Sequence, residues 1–268
     1  MTIEAVLFDL DDTLLWDERS VEEAFAAASR AAGPEVNPEE LQAAVRREAR
    51  ALYETYEFYP FTQMIGINPF EALWGHFTGG SQPEFRQMEQ QAPLYRKEAW
   101  RRGLAAVGVE DEALAETLAE RFAAERRGLP YMYEETIQVL EQLHGKVKLL
   151  LLTNGCPVLQ QEKLDSVPEL TPFFDQIVIS GTFGKGKPDV SIFEHALQLL
   201  DTRPEHAVMV GDKLSTDIRG GLAAGMTTVW INRTNRPEHS GIKPHYRIAS
   251  LTELPPLLDQ MEGRQPNL

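Results

Sequence analysis

The sequence predicts an α/β fold, a doubly wound parallel sheet interrupted by an all-helical insertion. Two observations carry this. Five short apolar runs of the buried-strand kind recur along the chain with helical patterns between them, and the stretch from Trp16 to Leu129 shows helical periodicity without a strand-like run. With 268 residues, 43% hydrophobic and 25% charged, the chain is long enough for one large domain plus an insertion or for two domains.

The first run, Ala5 to Phe8, follows Met1 without a basic region ahead of an apolar targeting stretch. The insertion after it is read from apolar residues on one helical face: Val21, Phe25 and Ala28; Leu41, Val45, Leu52 and Tyr56; Leu114, Leu118 and Phe122. Pro34, Pro38, Pro60, Pro69, Pro83 and Gly79-Gly80 divide it into an expected five helices. Ile137, Leu140 and Leu143 then mark a helix before the second run, Val147 to Leu152, and a third run covers Gln176 to Ile179. Ile192, Phe193, Ala196, Leu197 and Leu200 share a helical face ahead of the runs Ala207 to Val210 and Thr227 to Ile231. The tail from Gly263 to Leu268 is expected to fray. Strands alternating with helices make a parallel sheet, in which a ligand lies beyond the carboxyl ends of the strands.

Composition excludes several classes of function. The net charge is -15, from 26 basic and 41 acidic residues, which repels nucleic acid and anionic membrane. The longest aliphatic run, Leu149 to Leu152, is far too short to span a bilayer. A single cysteine, Cys156, excludes an internal disulfide, and the six histidines lack ligand spacing. A cytoplasmic protein without nucleic-acid or membrane partners is the expectation; no feature bears on its oligomeric state.

Four clusters fall at the ends of apolar runs: Asp9-Leu10-Asp11-Asp12-Thr13, Thr153-Asn154-Gly155, Gly186-Lys187-Pro188-Asp189, and Gly211-Asp212 followed by Asp217. Together they suit phosphoryl transfer around a divalent cation. An ionised Asp9 can attack phosphorus without a base to activate it. Asp11, two residues on, can give the leaving oxygen a proton and later take one from water. Asp12 and Thr13 fit structural roles as turn and helix-start residues. Asp212 and Asp217 add negative charge, and like charges about 4 Å apart cost roughly 4 kcal/mol at an effective dielectric near 20, so a cation is required. Oxygen-only ligation beside a phosphate suits Mg2+. Lys187 would neutralise phosphoryl oxygens, and Thr153 would hydrogen-bond the phosphate beside the amides of Asn154 and Gly155. Each cluster alone has an ordinary explanation, whether a solvated loop, a polar strand end or, for Asp212, the cap of a helix starting near Thr216.

In this order the four clusters resemble motifs I to IV of the haloacid dehalogenase superfamily. The resemblance covers about 150 residues of the core and implies a Rossmann-like catalytic core over 1–15 and 131–268, with a helical cap of the C1 type over 16–130. By match to motif, it implies that Asp9 is nucleophile and Mg2+ ligand, and that Asp11 is the acid/base whose backbone carbonyl also binds metal. Thr153 and Lys187 would then hold phosphate, while Asp212 binds Mg2+ and Asp217 supports the metal or Lys187. Dehalogenases of that superfamily lack an acid two residues after the nucleophile and transport ATPases carry a threonine there, so Asp11 favours phosphatases and phosphomutases. Val208 to Asn232 resembles the subgroup of sialic-acid 9-phosphatases and pyrimidine nucleotidases. Two positions depart from its pattern: Lys213, usually small or polar, which would either reach a substrate anion or trim the local negative charge, and Thr182, where Glu is common.

The expectation is a Mg2+-dependent hydrolase of a small phosphorylated metabolite, acting through an aspartyl phosphate. A phosphomutase and a catalytically inactive binding protein on the same fold are the alternatives. Specificity is expected in the cap. Arg19, Arg46, Arg47 and Arg50 there are either anion contacts or solvated charges, and Tyr53, Tyr56, Phe58, Tyr59 and Phe61 either line a pocket or form core. Cys156 is either a redox-sensitive thiol or a buried structural residue.

Overall fold

In the computed structural model, which describes residues 2–237 and 241–263, the apolar runs become parallel strands: β1 (Ala5–Phe8), β2 (Lys148–Thr153), β3 (Gln176–Ile179), β4 (Ala207–Gly211) and β5 (Thr227–Ile231). A sixth, β6 (Tyr246–Ile248), completes a sheet of order β3-β2-β1-β4-β5-β6 with every neighbouring pair parallel. The sequence reading missed β6 because it is three residues long and only Ile248 is buried. The expected fraying of 264–268 lies outside the described residues.

The chain forms two compact units, one of residues 1–16, 132–154 and 163–268 and the other of residues 17–131 and 155–162. In the first, side-chain alternation fills both faces of the sheet. Val6, Phe8, Leu149, Leu151, Val208 and Val210 enter one apolar cluster, while Ala5, Leu7, Leu150, Leu152, Ala207 and Met209 enter the other. Strands buried on both faces read as near-continuous apolar runs, which is why they were legible. α7 (Thr136–Leu143), α9 (Val190–Leu199) and α10 (Leu254–Met261) each bury an apolar face in one of these clusters. Strand order reverses between β1 and β4, the position at which open α/β sheets leave a crevice for ligand. Their register pairs Phe8 with Val210, so Asp9 and Gly211 emerge at the same level.

The second unit contains six helices rather than five: α1 (Asp17–Arg30), α2 (Pro38–Tyr53), α3 (Tyr59–Ile65), α4 (Pro69–Ala72), α5 (Pro83–Ala106) and α6 (Glu112–Arg127). α5 was not legible because it is rich in Arg, Glu and Gln and runs through Pro93. Pro38, Pro69 and Pro83 open helices, where a missing N–H costs nothing. Phe25, Trp100 and Phe122 pack at the centre, with Phe25 and Phe122 ring centroids 4.4 Å apart. α5 approaches α2 closely at Gly103, where a Cβ would lie 2.3 Å from Val45 Cγ2. Tyr53, Phe58 and Phe61 are core residues, with Tyr56 and Tyr59 packed against them. Arg46 pairs with Glu22 and lies over Phe25 and Phe70, Arg50 lies over Phe70, Arg47 pairs with Glu48, and Arg19 pairs with Glu23 and stacks on Tyr131. α8 (Pro157–Asp165) is shared: its residues to Glu162 group with this unit and those from Lys163 with the sheet. No helix among the described residues is long and apolar enough to cross a membrane.

Candidate active site

Asp9 is the first residue beyond β1, and its N–H donates to the Val210 carbonyl at 3.0 Å. The Leu10 carbonyl accepts the N–H groups of Leu14 and Leu15 at 2.9 Å each, closing a turn in which Asp12 is left-handed with φ 61°. Thr13 is buried, and its Oγ1 donates to Asp9 Oδ2 at 3.3 Å, so it touches the expected nucleophile instead of starting a helix.

Beyond β4 the chain continues through Asp212 and Lys213 into a π-helical turn, Leu214–Ile218, that carries Asp217 back towards Asp9. Asp217 Oδ2 accepts the Lys213 N–H at 3.0 Å. A Cβ at Gly211 would lie 2.4 Å from Asp217 Cγ, so only glycine leaves room for that carboxylate. Asp212 does not cap the turn, whose preceding residue is Lys213. Its main-chain oxygen accepts Trp230 Nε1 at 2.8 Å, and its Oδ2 accepts Arg236 Nη2 at 3.1 Å.

Lys187 lies at the centre. Its Nζ donates to Asp9 Oδ1 at 2.6 Å and to the Leu152 carbonyl at 2.6 Å, and pairs with Asp217 Oδ1 at 2.8 Å, with 1% of the side chain exposed. The Asn154 side chain fixes the Lys187 backbone at two points, donating from Nδ2 to its carbonyl at 2.9 Å and accepting its N–H on Oδ1 at 2.8 Å. Thr153, the last residue of β2, is buried. Gly155 follows with φ 148°, and a Cβ there would lie 2.9 Å from Gln160 Cδ. Asp11 pairs instead with a residue absent from the sequence reading: Lys163 Nζ lies 2.8 Å from its Oδ2.

Carboxylate oxygens of Asp9, Asp212 and Asp217 lie within 4.8 Å of one another, and all three residues are buried. Burial, opposed in part by Lys187, raises the Asp9 carboxyl above its ordinary range. Asp212 is pushed up to about 7, by burial first and then, against Lys213, by Asp9 and Asp217. Burial works against the Lys187 charge, but Asp217 and Asp9 outweigh it and raise the ammonium. At Lys213 the surrounding chain likewise opposes the charge, and Asp212, Asp9, Asp11 and Asp217 together raise it. Asp212 Oδ1 is buried with no hydrogen-bond partner among the described residues. An orphaned carboxylate oxygen in a hard, oxygen-only donor set with excess negative charge fits Mg2+.

The structure thus gathers Asp9, Asp212, Asp217 and Lys187 into one buried nest and ties Asn154 to it. Thr13, Lys163, Trp230 and Arg236 were missed as site residues. For Lys163 a signal existed: Cys156, Leu159, Gln160, Leu164 and Val167 form a buried stripe at helical spacing, and Lys163 falls on it. Cys156 is itself buried, and burial pushes its thiol up to about 11, which suits the structural reading.

Residues 3–225 match the haloacid dehalogenase-like hydrolase family. The chain is 37% identical to a phosphoserine phosphatase of Thermus thermophilus over 252 residues, 94% of this chain and 98% of that one. It is 41% identical to the N-acylneuraminate-9-phosphatase of Mus musculus over 157 residues, 58% of this chain and 63% of that one. Among solved structures, the putative HAD-hydrolase YfnB from Bacillus subtilis, bound to magnesium, shares the fold with a TM-score of 0.67 at 22% identity, over 97% of this chain and all of that one.

Proposed function

The chain belongs to the haloacid dehalogenase-like hydrolases, and from that premise we propose that it is a Mg2+-dependent phosphatase of small-molecule phosphate monoesters. The observation that carries the reading is the Asp9 carboxylate held 2.6 Å from a buried Lys187 ammonium within a three-carboxylate nest. Such a carboxylate is fixed in position beside a charge that can meet phosphoryl oxygens.

In this reading an Asp9 oxygen bonds to phosphorus as the ester P–O bond breaks, and the Asp11 carboxyl gives its proton to the departing oxygen. Water then bonds to phosphorus while Asp11 takes its proton. The bond from phosphorus to Asp9 breaks, releasing inorganic phosphate and restoring the Asp9 carboxylate. Lys187 counters negative charge on the phosphoryl group throughout, and Thr153, with the amides of Asn154 and Gly155, would hold its oxygens. Asp9, Asp212 and the Asp11 carbonyl, with Asp217 supporting them, would hold Mg2+, which supplies positive charge to both the carboxylates and the phosphoryl oxygens. Arg236, bonded to Oδ2, would fix the direction of the Asp212 carboxylate, and Trp230, bonded to its main-chain oxygen, would hold the backbone that carries it.

The substrate reading starts from phosphoserine, because the likeness to that relative runs through nearly the whole of both chains, whereas the N-acylneuraminate-9-phosphatase matches over 58% of this one. The test is phosphate release from phosphoserine, N-acylneuraminate 9-phosphate and pyrimidine nucleoside 5′-monophosphates, with Mg2+ or EDTA, for the wild type and Asp9→Asn. The reading requires turnover of at least one ester that disappears in EDTA and in Asp9→Asn. Turnover of the whole panel by Asp9→Asn at the wild-type rate would overturn it.

A further inference from the structure

We propose that Lys163 is a positioning residue for the acid/base carboxylate of Asp11, an assignment that rests on the phosphatase reading above. Its Nζ lies 2.8 Å from Asp11 Oδ2, and its side chain is 2% exposed. Lysine is almost never buried so completely without an anionic partner, because an unpaired ammonium in the interior is costly. The backbone around it is fixed as well: the Lys163 carbonyl accepts Ser166 Oγ at 2.6 Å, and neighbouring Leu164 is fully buried in the core cluster that contains Val6 and Phe8 of β1.

The two buried lysines divide the two aspartates of the first cluster. Lys187 contacts Asp9 and Asp217, whereas Lys163 contacts Asp11. The roles of the aspartates explain the division. Asp9 must stay ionised and make a bond; Asp11 must give a proton and then take one without moving. An ammonium on Oδ2 anchors one oxygen of Asp11 in both states and leaves proton exchange to the other. The anchor comes from α8, whose chain leaves β2 directly after Thr153 and Asn154, so one helix joins the phosphate-holding strand end to the acid/base.

The test uses p-nitrophenyl phosphate with Mg2+, because p-nitrophenolate departs without a proton. Formation of the Asp9 phosphoester then needs no acid, while its hydrolysis still needs Asp11 to take the proton of water. Lys163→Met is expected to give a burst of about one equivalent of p-nitrophenolate, followed by turnover slowed about 100-fold. KM falls with kcat, so kcat/KM stays within about threefold of the wild type. Lys163→Arg, which keeps the cation, recovers turnover to within about tenfold, and Lys163→Met in an Asp11→Asn background slows turnover no further. A merely structural lysine would lower kcat/KM along with kcat and add its loss to that of Asp11→Asn. Either of those results, or wild-type turnover by Lys163→Met, overturns the assignment. Circular dichroism melts check folding, and Lys163→Gln replaces Lys163→Met in every arm if the latter does not fold. Wild-type protein without Mg2+-dependent turnover would instead defeat the phosphatase reading itself.

Discussion

Replacing Lys187 with methionine tests the electrostatics of the nest without touching a carboxylate. The ammonium contacts Asp9 and Asp217 at 2.6 and 2.8 Å, and carboxylate oxygens of Asp9, Asp212 and Asp217 lie no more than 4.8 Å apart. At that separation each like-charged pair repels by roughly 3 kcal/mol at an effective dielectric of 20. The attraction of Lys187 is offset by the cost of burying it, but removing one partner of a buried ion pair leaves the other charges uncompensated and typically costs about 3–5 kcal/mol. That is a large share of the roughly 5–15 kcal/mol that holds a domain folded. With a slope near 2–3 kcal/mol per M, the urea midpoint of the Lys187→Met protein in EDTA should fall by about 1–2 M. Saturating Mg2+ restores part of the loss, about 2.7 kcal/mol at a hundred times Kd. The assay is urea unfolding followed by tryptophan fluorescence and circular dichroism, with EDTA and with Mg2+. A midpoint in EDTA within about 0.3 M of the wild type would refute the reasoning, since the ammonium would then not be holding the carboxylates together.

Asp212, at about 7 in the folded chain against an ordinary 3.8, binds its proton more tightly folded than unfolded, so its contribution to the stability of metal-free protein is complete below about pH 4 and is lost as pH rises through 7. Melts in EDTA should therefore show Asp212→Asn gaining on the wild type between pH 5 and 8, and Mg2+ affinity measured by calorimetry should weaken up to about tenfold per pH unit below 7. Gly211→Ala puts a Cβ 2.4 Å from Asp217 Cγ and should reduce Mg2+ affinity and phosphate release by about 10- to 100-fold, while a wild-type isotherm would show that the nest tolerates the shift. Gly103→Ala forces Val45 away, by contacts of 2.3 Å to Cγ2 and 2.9 Å to Cα, and should destabilise the helical unit by about 1–3 kcal/mol in scanning calorimetry with the Mg2+ isotherm unchanged.

The parts of the site that were legible are those whose residue types are unusual for their place. Acidic pairs directly after apolar strands and a Gly-Lys-Pro turn have few structural explanations in combination, so the sequence alone joins Asp9, Asp212, Asp217 and Lys187. Lys163 was not legible, because a lysine within Gln-Gln-Glu-Lys-Leu-Asp looks like any solvated helix charge until the buried stripe around it is counted. Trp230 was hidden for the opposite reason: it is a good strand residue, and nothing in the sequence says that its indole N–H reaches Asp212. Arg236 belongs to a loop whose course is set by Asn232, which bonds its N–H and carbonyl at 2.8 Å each. In the fold, strands buried on both faces were readable, while β6 and the polar, proline-containing α5 were not. Their short length or mixed composition gives no clear period.

The two-point bond from the Asn154 side chain to the Lys187 main chain joins segments 33 residues apart in sequence. Each bond alone would let the turn pivot; the pair removes that freedom, so the strand end bearing Thr153 and the lysine shift as a single body. Transplanting the Lys187 turn from a related protein would therefore succeed only if an amide side chain came with it at position 154, and directed evolution at either segment should yield paired changes sooner than solitary ones.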